Sequence, residues 1–503
     1  MSDTMKLTQY VCLRLPITHP TDFPQSEGTS PNLTINHLPD EVLLDIFDFY
    51  RRGTDLYDYK WRGEYLWFNL AHVCRKWRAV MFGSASRLDI GITVGAITPG
   101  DIETLLSGPW PLFINYYWGD VDGDLTDSAL WRLRAALKQP DRVRDISFAG
   151  PSQWFDEVFP TTNIPLPKLE GLVLRPFYNE ELKLPDTFLG GAHLSHLHLR
   201  RLELQHISLK SVYRFLWSTP ALTDLDLKID TAFGASPETS LLACLQGMPA
   251  LCRLDLVISS SRLESPPLPP TLKDIVPLSK LTWFRYVGQS VFLDAIAAGL
   301  SAPFLQDLRM EFLDEISSPI VHLQHLPRFI NEKKEHYHTL HVTLLNGLLR
   351  IIVLTQSEFT NDDCHNWQRF KSCPVQGLPM EIIRRADAFS TKLTAVEELR
   401  VSIFRTAADE DGVLSHRFYQ QFSSAKVFRI AGINYNHIAR TLLQGHIIQA
   451  DGCAFFPALE EIELGRDEFW SEESQTKYEL GAFDPFIFAR QEAGRPVKVY
   501  YRS

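Results

Sequence analysis

EHYHTLH gathers His336, His338 and His341, the densest set of potential metal ligands in the chain. On a strand, side chains alternate between faces, so His336 and His338 would point the same way, as ligands of one ion often do. No carboxylate or cysteine stands where a further ligand is needed, and solvated loop histidines are the plainer expectation. Cys364, His365 and Cys373 form a looser set with the same outcome. The acidic run EEIELGRDEFWSEES (460–474) supplies many carboxylates. A pair of them does acid–base work only when a fold holds them about 5–10 Å apart around a substrate, so a solvated face explains the run better. Tyr116-Tyr117 and Tyr500-Tyr501 could stack a base or a partner, but core and edge packing is the commoner use. The chain contains no GxSxG elbow, no GxxxxGK phosphate loop, no GxGxxG after a strand and no HExxH pair. No catalytic residue, metal site or cofactor is expected.

The elements that would position any site must come from a long chain. At 503 residues it exceeds one ordinary core, which leaves a few domains or one extended repeat array. Hydrophobic residues at 45% and charged residues at 22% suit a protein that folds in water. No run approaches the roughly 18 apolar residues of a membrane span. The formal charge of -11 argues against general binding to nucleic acid, whose affinity rests on clustered Lys and Arg. Seven cysteines without a CxxC pair fit a reducing compartment, and the N-terminus lacks the apolar core of a secretion signal. The expected location is therefore intracellular, cytoplasmic and/or nuclear. The sequon at Asn32-Leu33-Thr34 should then stay unmodified.

Residues 1–33 read as a flexible leader, with four prolines among polar residues between 15 and 32. LPDEVLLDIFDFY then predicts a helix over about 39–50: Pro39 suits a first turn, and Asp40 and Glu41 complement the positive end of the helix dipole. Seven of the nine residues from Val42 to Tyr50 are apolar, more than one buried stripe requires. One face should pack on a second helix and another should meet a partner. That second helix is predicted within LWFNLAHVCRKWRAVMF, where Leu66, Leu70, Val73, Trp77 and Val80 recur at steps of four and three. The charged segment between them, about 51–65, should be a loop or frayed helix.

From about residue 88 short segments carry apolar residues at offsets one, four and six, the strand signature of a leucine-rich repeat. LEGLVL begins at Leu169, LRRLEL at Leu199, LTDLDL at Leu222, LCRLDL at Leu251, LTWFRY at Leu281 and LQDLRM at Leu305. Weaker echoes start at Val143, Val396, Ala425 and Leu459. A strand plus a short helix cannot bury its own apolar face, so such units must stack along one parallel sheet. The Asn or Cys usual eight residues after the first Leu is replaced by Phe177, Ile207, Asp230 and Ser259, which predicts an irregular solenoid. Residues 338–356 look like two strands around Asn346-Gly347, a strong hairpin signal, followed by a long polar loop to about 380. The expected fold is mixed α/β. Its parts are a helical unit at 34–90, a repeat array at 91–470 with an insertion at about 336–380, and a cap or tail at 471–503.

LPDEVLLDIF and NLAHVCRKWRAVMF together resemble the F-box, with its LP opening, Leu-rich first helix and later Leu-x-x-Val-Cys-x-x-Trp. Here those features are Leu38 and Pro39, then Val42 to Phe47, then Leu70, Val73, Cys74 and Trp77. The spacing exceeds the compact motif by the 51–65 insert. This lengthened form, followed by FGS and RLDIGITV, resembles the large F-box families of mushroom-forming (basidiomycete) fungi. The resemblance implies a substrate receptor of a Skp-cullin-F-box ubiquitin ligase. The F-box would hold a Skp-type adaptor and through it a cullin, and the repeats would hold a protein substrate. It places Leu38, Pro39, Leu43, Leu44, Ile46, Phe47, Val73, Cys74 and Trp77 at or behind the adaptor surface, with Cys74 as a small buried hydrophobe. The alternatives are a leucine-rich scaffold unconnected with ubiquitin, whose helical unit merely caps the array, and an enzyme hidden in 338–395.

Overall fold

The computed structural model describes residues 37–54, 70, 73–84, 92–94, 110–117, 126–159, 165–177, 182, 184, 188, 198–207, 212–213, 216–217, 219–230, 237–259, 275–312, 325–331, 337–345, 348–354, 394–404, 419–432, 435–448, 456–465 and 480–502. The chain divides into two compact units, residues 1–90 and 91–503.

In the first unit, helix α1 spans Asp40–Thr54. It outruns the expected end by four residues, so the charged segment after Tyr50 starts as helix, one of the two forms expected of it. Helix α2 spans Arg75–Gly83. Leu70 and Val73 are helical too, but Cys74 is extended (φ −158°, ψ 172°), which breaks the predicted continuous helix; Leu66 lies outside the described residues. The break gives α2 a capped start: Cys74 Sγ accepts the Trp77 N–H at 3.4 Å, taking one of the donors a helix leaves open. Cys74 is thus a half-buried cap, not the buried hydrophobe expected of it. Serine caps better than cysteine, so Cys74→Ser should match or raise the melting temperature. Cys74→Ala should lower stability by about 0.5–1 kcal/mol. A melt in which serine costs more than alanine would restore the buried-hydrophobe assignment.

In the second unit the strands are β1 (Ile92–Val94), β2 (Leu112–Tyr117), β3 (Val143–Gly150), β4 (Gly171–Pro176), β5 (Arg201–Gln205), β6 (Asp224–Asp230) and β7 (Arg253–Ser259). The short β8 (Val276–Pro277) and β10 (Leu300–Ser301) pair separately. The main sheet continues through β9 (Trp283–Gly288), β11 (Asp307–Phe312), β12 (Thr339–Leu345), β13 (Leu348–Leu354), β14 (Glu398–Phe404), β15 (Val427–Gly432), β16 (Glu461–Gly465) and β17 (Lys498–Arg502). These 15 strands follow chain order except that β13 stands between β11 and β12. Every other neighbouring pair is parallel; β13 is antiparallel to both of its neighbours.

The ten segments marked by the apolar pattern share one register, seven side by side in β3 to β11 and three in β14 to β16 beyond the hairpin. Ile146, Leu172, Leu202, Leu225, Leu254, Phe284 and Leu308 are successive partners across β3 to β11. Leu399, Phe428 and Ile462 hold the same place further on. All of them are buried, which is why the pattern tolerates Phe or Ile for Leu but no polar residue. The hairpin is present, with Leu345 opposite Leu348 and so room for a two-residue turn. Its second arm enters the middle of the sheet instead of projecting from it.

Helices cover the apolar face where they are described. α3 (Asp127–Leu137) is capped by Thr126 Oγ1 on the Ala129 N–H at 3.2 Å and buries Ala129, Leu133, Ala136 and Leu137. α4 (Ser152–Val158) brings Trp154 and Phe155 to the ring cluster around Phe148. α5 (Pro237–Gln246), α6 (Ser290–Gly299), α7 (Leu326–Asn331) and α8 (Tyr435–Ile448) follow. α9 (Asp484–Glu492) is fixed by the buried Arg490, which donates to the carbonyls of Phe456 (3.0 Å) and Leu459 (2.9 Å). α6 and α7 clamp each other at opposite poles. Asp294 Oδ1 accepts the N–H groups of His325 and Leu326 at 2.8 Å, and Arg328 donates to the carbonyls of Ala297 and Ala298. Asp294 is buried, so Asp294→Ala strands two amide donors. It is expected to cost about 2–3 kcal/mol in chemical denaturation, with Asp294→Asn, which keeps an acceptor, costing clearly less.

Candidate functional site

Helix α1 answers its own excess of apolar residues. Leu43, Leu44 and Phe47 are buried, and Phe47 meets the Trp77 ring edge-on at 4.9 Å. Lys76 donates to the Leu38 carbonyl at 2.7 Å and lies 3.5 Å from Asp40, tying the start of α1 to α2. A second stripe stays open: Val42, Ile46, Phe49 and Tyr50 are 40%, 39%, 80% and 38% exposed. They recur at i, i+4, i+7 and i+8, one continuous face of a helix. Val73, just before α2, is exposed as well. An exposed apolar helical stripe of this kind is a surface suited to burial against another apolar surface.

The large sheet offers a different surface. On the face opposite the apolar ladders, Glu203, Asp226, Asp255, Arg285 and Arg309 are successive partners on five strands. Arg175 pairs with Glu203, which also accepts from Gln205. Arg285 lies 3.5 Å from both Asp255 and Glu311, and Arg309 pairs with Asp307 at 2.8 Å. Arg253 stacks on Trp283, 3.9 Å from the ring centre. Further along, Arg429 reaches Glu398 at 3.1 Å and Glu463 at 2.8 Å. At the other end Arg201 bridges to Asp145 at 2.8 Å across an intervening strand. That reach needs Gly171, since a Cβ there would stand 1.9 Å from the Asp145 carboxylate.

Asp226 is the least compensated of these carboxylates. Burial and the neighbouring Asp255 and Glu203 push its pKa up to about 7, against the pull of Arg175 and Arg285. Asp255 is raised too, mainly by burial. A carboxyl raised in the folded state binds its proton more tightly than the unfolded chain does. Its contribution to stability is therefore full below the unfolded value and lost as pH climbs through about 7. Asp226→Asn should accordingly raise the melting temperature more at pH 8 than at pH 5. Because the group keeps some contact with solvent, the gain is on the order of 1–2 kcal/mol. Equal shifts at both pH values would contradict this.

The helical unit is where the comparison with known families finds a match. Residues 35–85 match the F-box-like family. No curated protein matches the chain. Within the F-box-like segment the nine residues assigned from sequence separate cleanly. Leu43, Leu44, Phe47 and Trp77 are interior, Leu38 and Cys74 are half-buried, and Pro39, Ile46 and Val73 face solvent. The exposed Val42, Phe49 and Tyr50 were missed, although their helical spacing with Ile46 was available in the sequence.

The other sequence candidates scatter. His338 lies 3.5 Å from Glu397, whereas His341 bonds Ser402 at 3.1 Å and Thr343 at 3.0 Å, so the two take separate partners. His336, Cys364, His365 and Cys373 lie outside the described residues. Among the described residues no three His, Cys, Asp or Glu side chains stand where they could hold one metal ion. Cys74, Cys244 and Cys252 are free thiols, with burial pushing Cys244 up to about 12. Tyr116 stacks on Phe148 inside the core, and Tyr500 is exposed on the last strand. No described helix is long and apolar enough to cross a membrane.

Proposed function

We propose that this chain is a non-catalytic substrate receptor of a Skp-cullin-F-box ubiquitin ligase, acting inside the cell. The F-box-like segment takes a Skp-type adaptor on the open stripe of α1, and through it a cullin. The second unit is a leucine-rich-repeat solenoid, similar to those of the large F-box families of mushroom-forming fungi, and its charged sheet face takes a protein substrate. The carrying observation is the exposed Val42, Ile46 and Phe49 stripe on a segment that matches the F-box-like family. The repeat assignment is supported by ten segments in one register along a mainly parallel sheet. A charged sheet face of this extent suits recognition of a protein surface. Neither nucleic acid nor membrane is a partner in this scheme. Pulldown of a purified Skp-type adaptor by the full chain tests it. A chain that captures no adaptor would instead be a repeat scaffold unconnected with ubiquitin.

A further inference from the structure

Two carboxylates of the charged row keep unfilled acceptor positions among the described residues. Three acidic side chains, Glu203, Asp226 and Asp255, occupy neighbouring strands at the same register, about 4.8 Å apart per strand. The flanking arginines are already engaged: Arg175 by Glu203, and Arg285 by Asp255 and Glu311. Asp226 between them has no hydrogen bond or ion pair among the described residues. Asp255 is only 5% exposed, yet its buried Oδ1 accepts no hydrogen bond among the described residues. A buried carboxylate oxygen without a donor is costly, and such an atom beside a second unpaired carboxylate marks the place of an absent donor.

The adjoining position supplies the opposite charge. Arg253, two residues from Asp255 on the same strand face, is exposed and lies over Trp283 without an ion pair of its own among the described residues. The indole holds the guanidinium in place while leaving its donors open.

We propose that Asp226 and Asp255 form a slot for one basic side chain, Lys or Arg, of an extended protein segment, whose neighbouring acceptor groups rest on Arg253. Asp226 supplies the charge-assisted acceptor for that side chain, the buried Asp255 adds negative charge behind it, and Trp283 supplies an apolar shelf beside it. A metal ion is a poorer occupant, since no three described ligand side chains converge there. The proposal rests on the sheet face being the substrate platform and names what that platform selects.

A display library of random short peptides, selected on the purified full chain and on its Asp226→Asn and Glu311→Gln variants, tests it. Peptides enriched on the parent chain and on Glu311→Gln should share a Lys or Arg. A synthetic copy should bind Asp226→Asn at least about 30-fold more weakly, and Arg253→Gln with a smaller loss. Thermal melts identify any variant that fails to fold. Enrichment without a basic residue, equal affinity for Asp226→Asn, or no enrichment on the folded parent chain would each overturn the slot; the last means that a shared proton fills it. Adaptor pulldown with the same proteins separates the two ideas. Asp226→Asn should still capture the adaptor, and loss of capture by the parent chain itself would end the ubiquitin reading without touching the peptide result.

Discussion

Replacing Ile46 and Phe49 together by aspartate is expected to abolish capture of a Skp-type adaptor while the melting temperature stays within a degree or two of the parent, a shift equivalent to under about 0.5 kcal/mol. Both side chains are exposed, so neither substitution opens a cavity. Both belong to the one apolar stripe that the F-box-like segment leaves open, and large apolar anchors of this kind each contribute about 2–4 kcal/mol to a protein interface. Two of them correspond to a loss of at least about 100-fold in affinity. Leu43→Asp and Trp77→Ala make an instructive contrast. Leu43 is fully buried and Trp77 packs on Phe47, so these changes should unfold the unit and remove binding without saying where the adaptor sits. Isothermal titration with purified adaptor, paired with a melt of each variant, separates the two cases. Undiminished affinity in the folded Ile46→Asp, Phe49→Asp protein would end the claim that this stripe is the adaptor surface.

The largest stability effect is expected from Phe148→Ala. The Phe148 ring is fully buried against Tyr116, Phe155 and Phe159, with centroids 5.7, 4.8 and 5.4 Å away. Removing it forfeits the transfer energy of a benzyl group and leaves a cavity that three rigid rings cannot close. The cost is about 3–5 kcal/mol. The sheet follows chain order, so each strand near Phe148 is bonded to its sequence neighbours. The damage should therefore stay local: hydrogen exchange should accelerate in β2, β3 and β4 and remain at the parent rate in β14, β15 and β16. Uniform acceleration across the sheet would contradict this, and would mean that the whole second unit unfolds as one.

The parts of this architecture that were legible share one physical cause. Apolar positions on the covered face of a sheet admit no polar residue, so their spacing survives in Leu169, Leu199, Leu222, Leu251, Leu281 and Leu305, and even in the weaker echoes. β2 and β17 escaped because PLFINY and PVKVYY put Pro where the first Leu belongs. Asn346-Gly347 announced the hairpin, yet turn chemistry is local and says nothing about which neighbour an arm will pair with, hence the surprise of β13. The F-box-like helix was legible as a helix, but with seven apolar residues in nine its inner and outer faces could not be told apart. Cys74 looked like one more apolar position because its role depends on a backbone angle. The charged row was hidden for a similar reason: Glu203, Asp226, Asp255 and Arg285 sit between the leucines, where a repeat pattern treats them as spacers.

The reversed strand β13 divides that row. Its residue in register with Arg309 on one side and His341 on the other is Ile352, fully buried and uncharged. The line of charge at this register is thereby interrupted, with one run from β5 to β11 and another from β14 to β16. The described ion pairs of the row lie wholly on one side of the break or the other, so the charges of one run can be exchanged without repartnering those of the other.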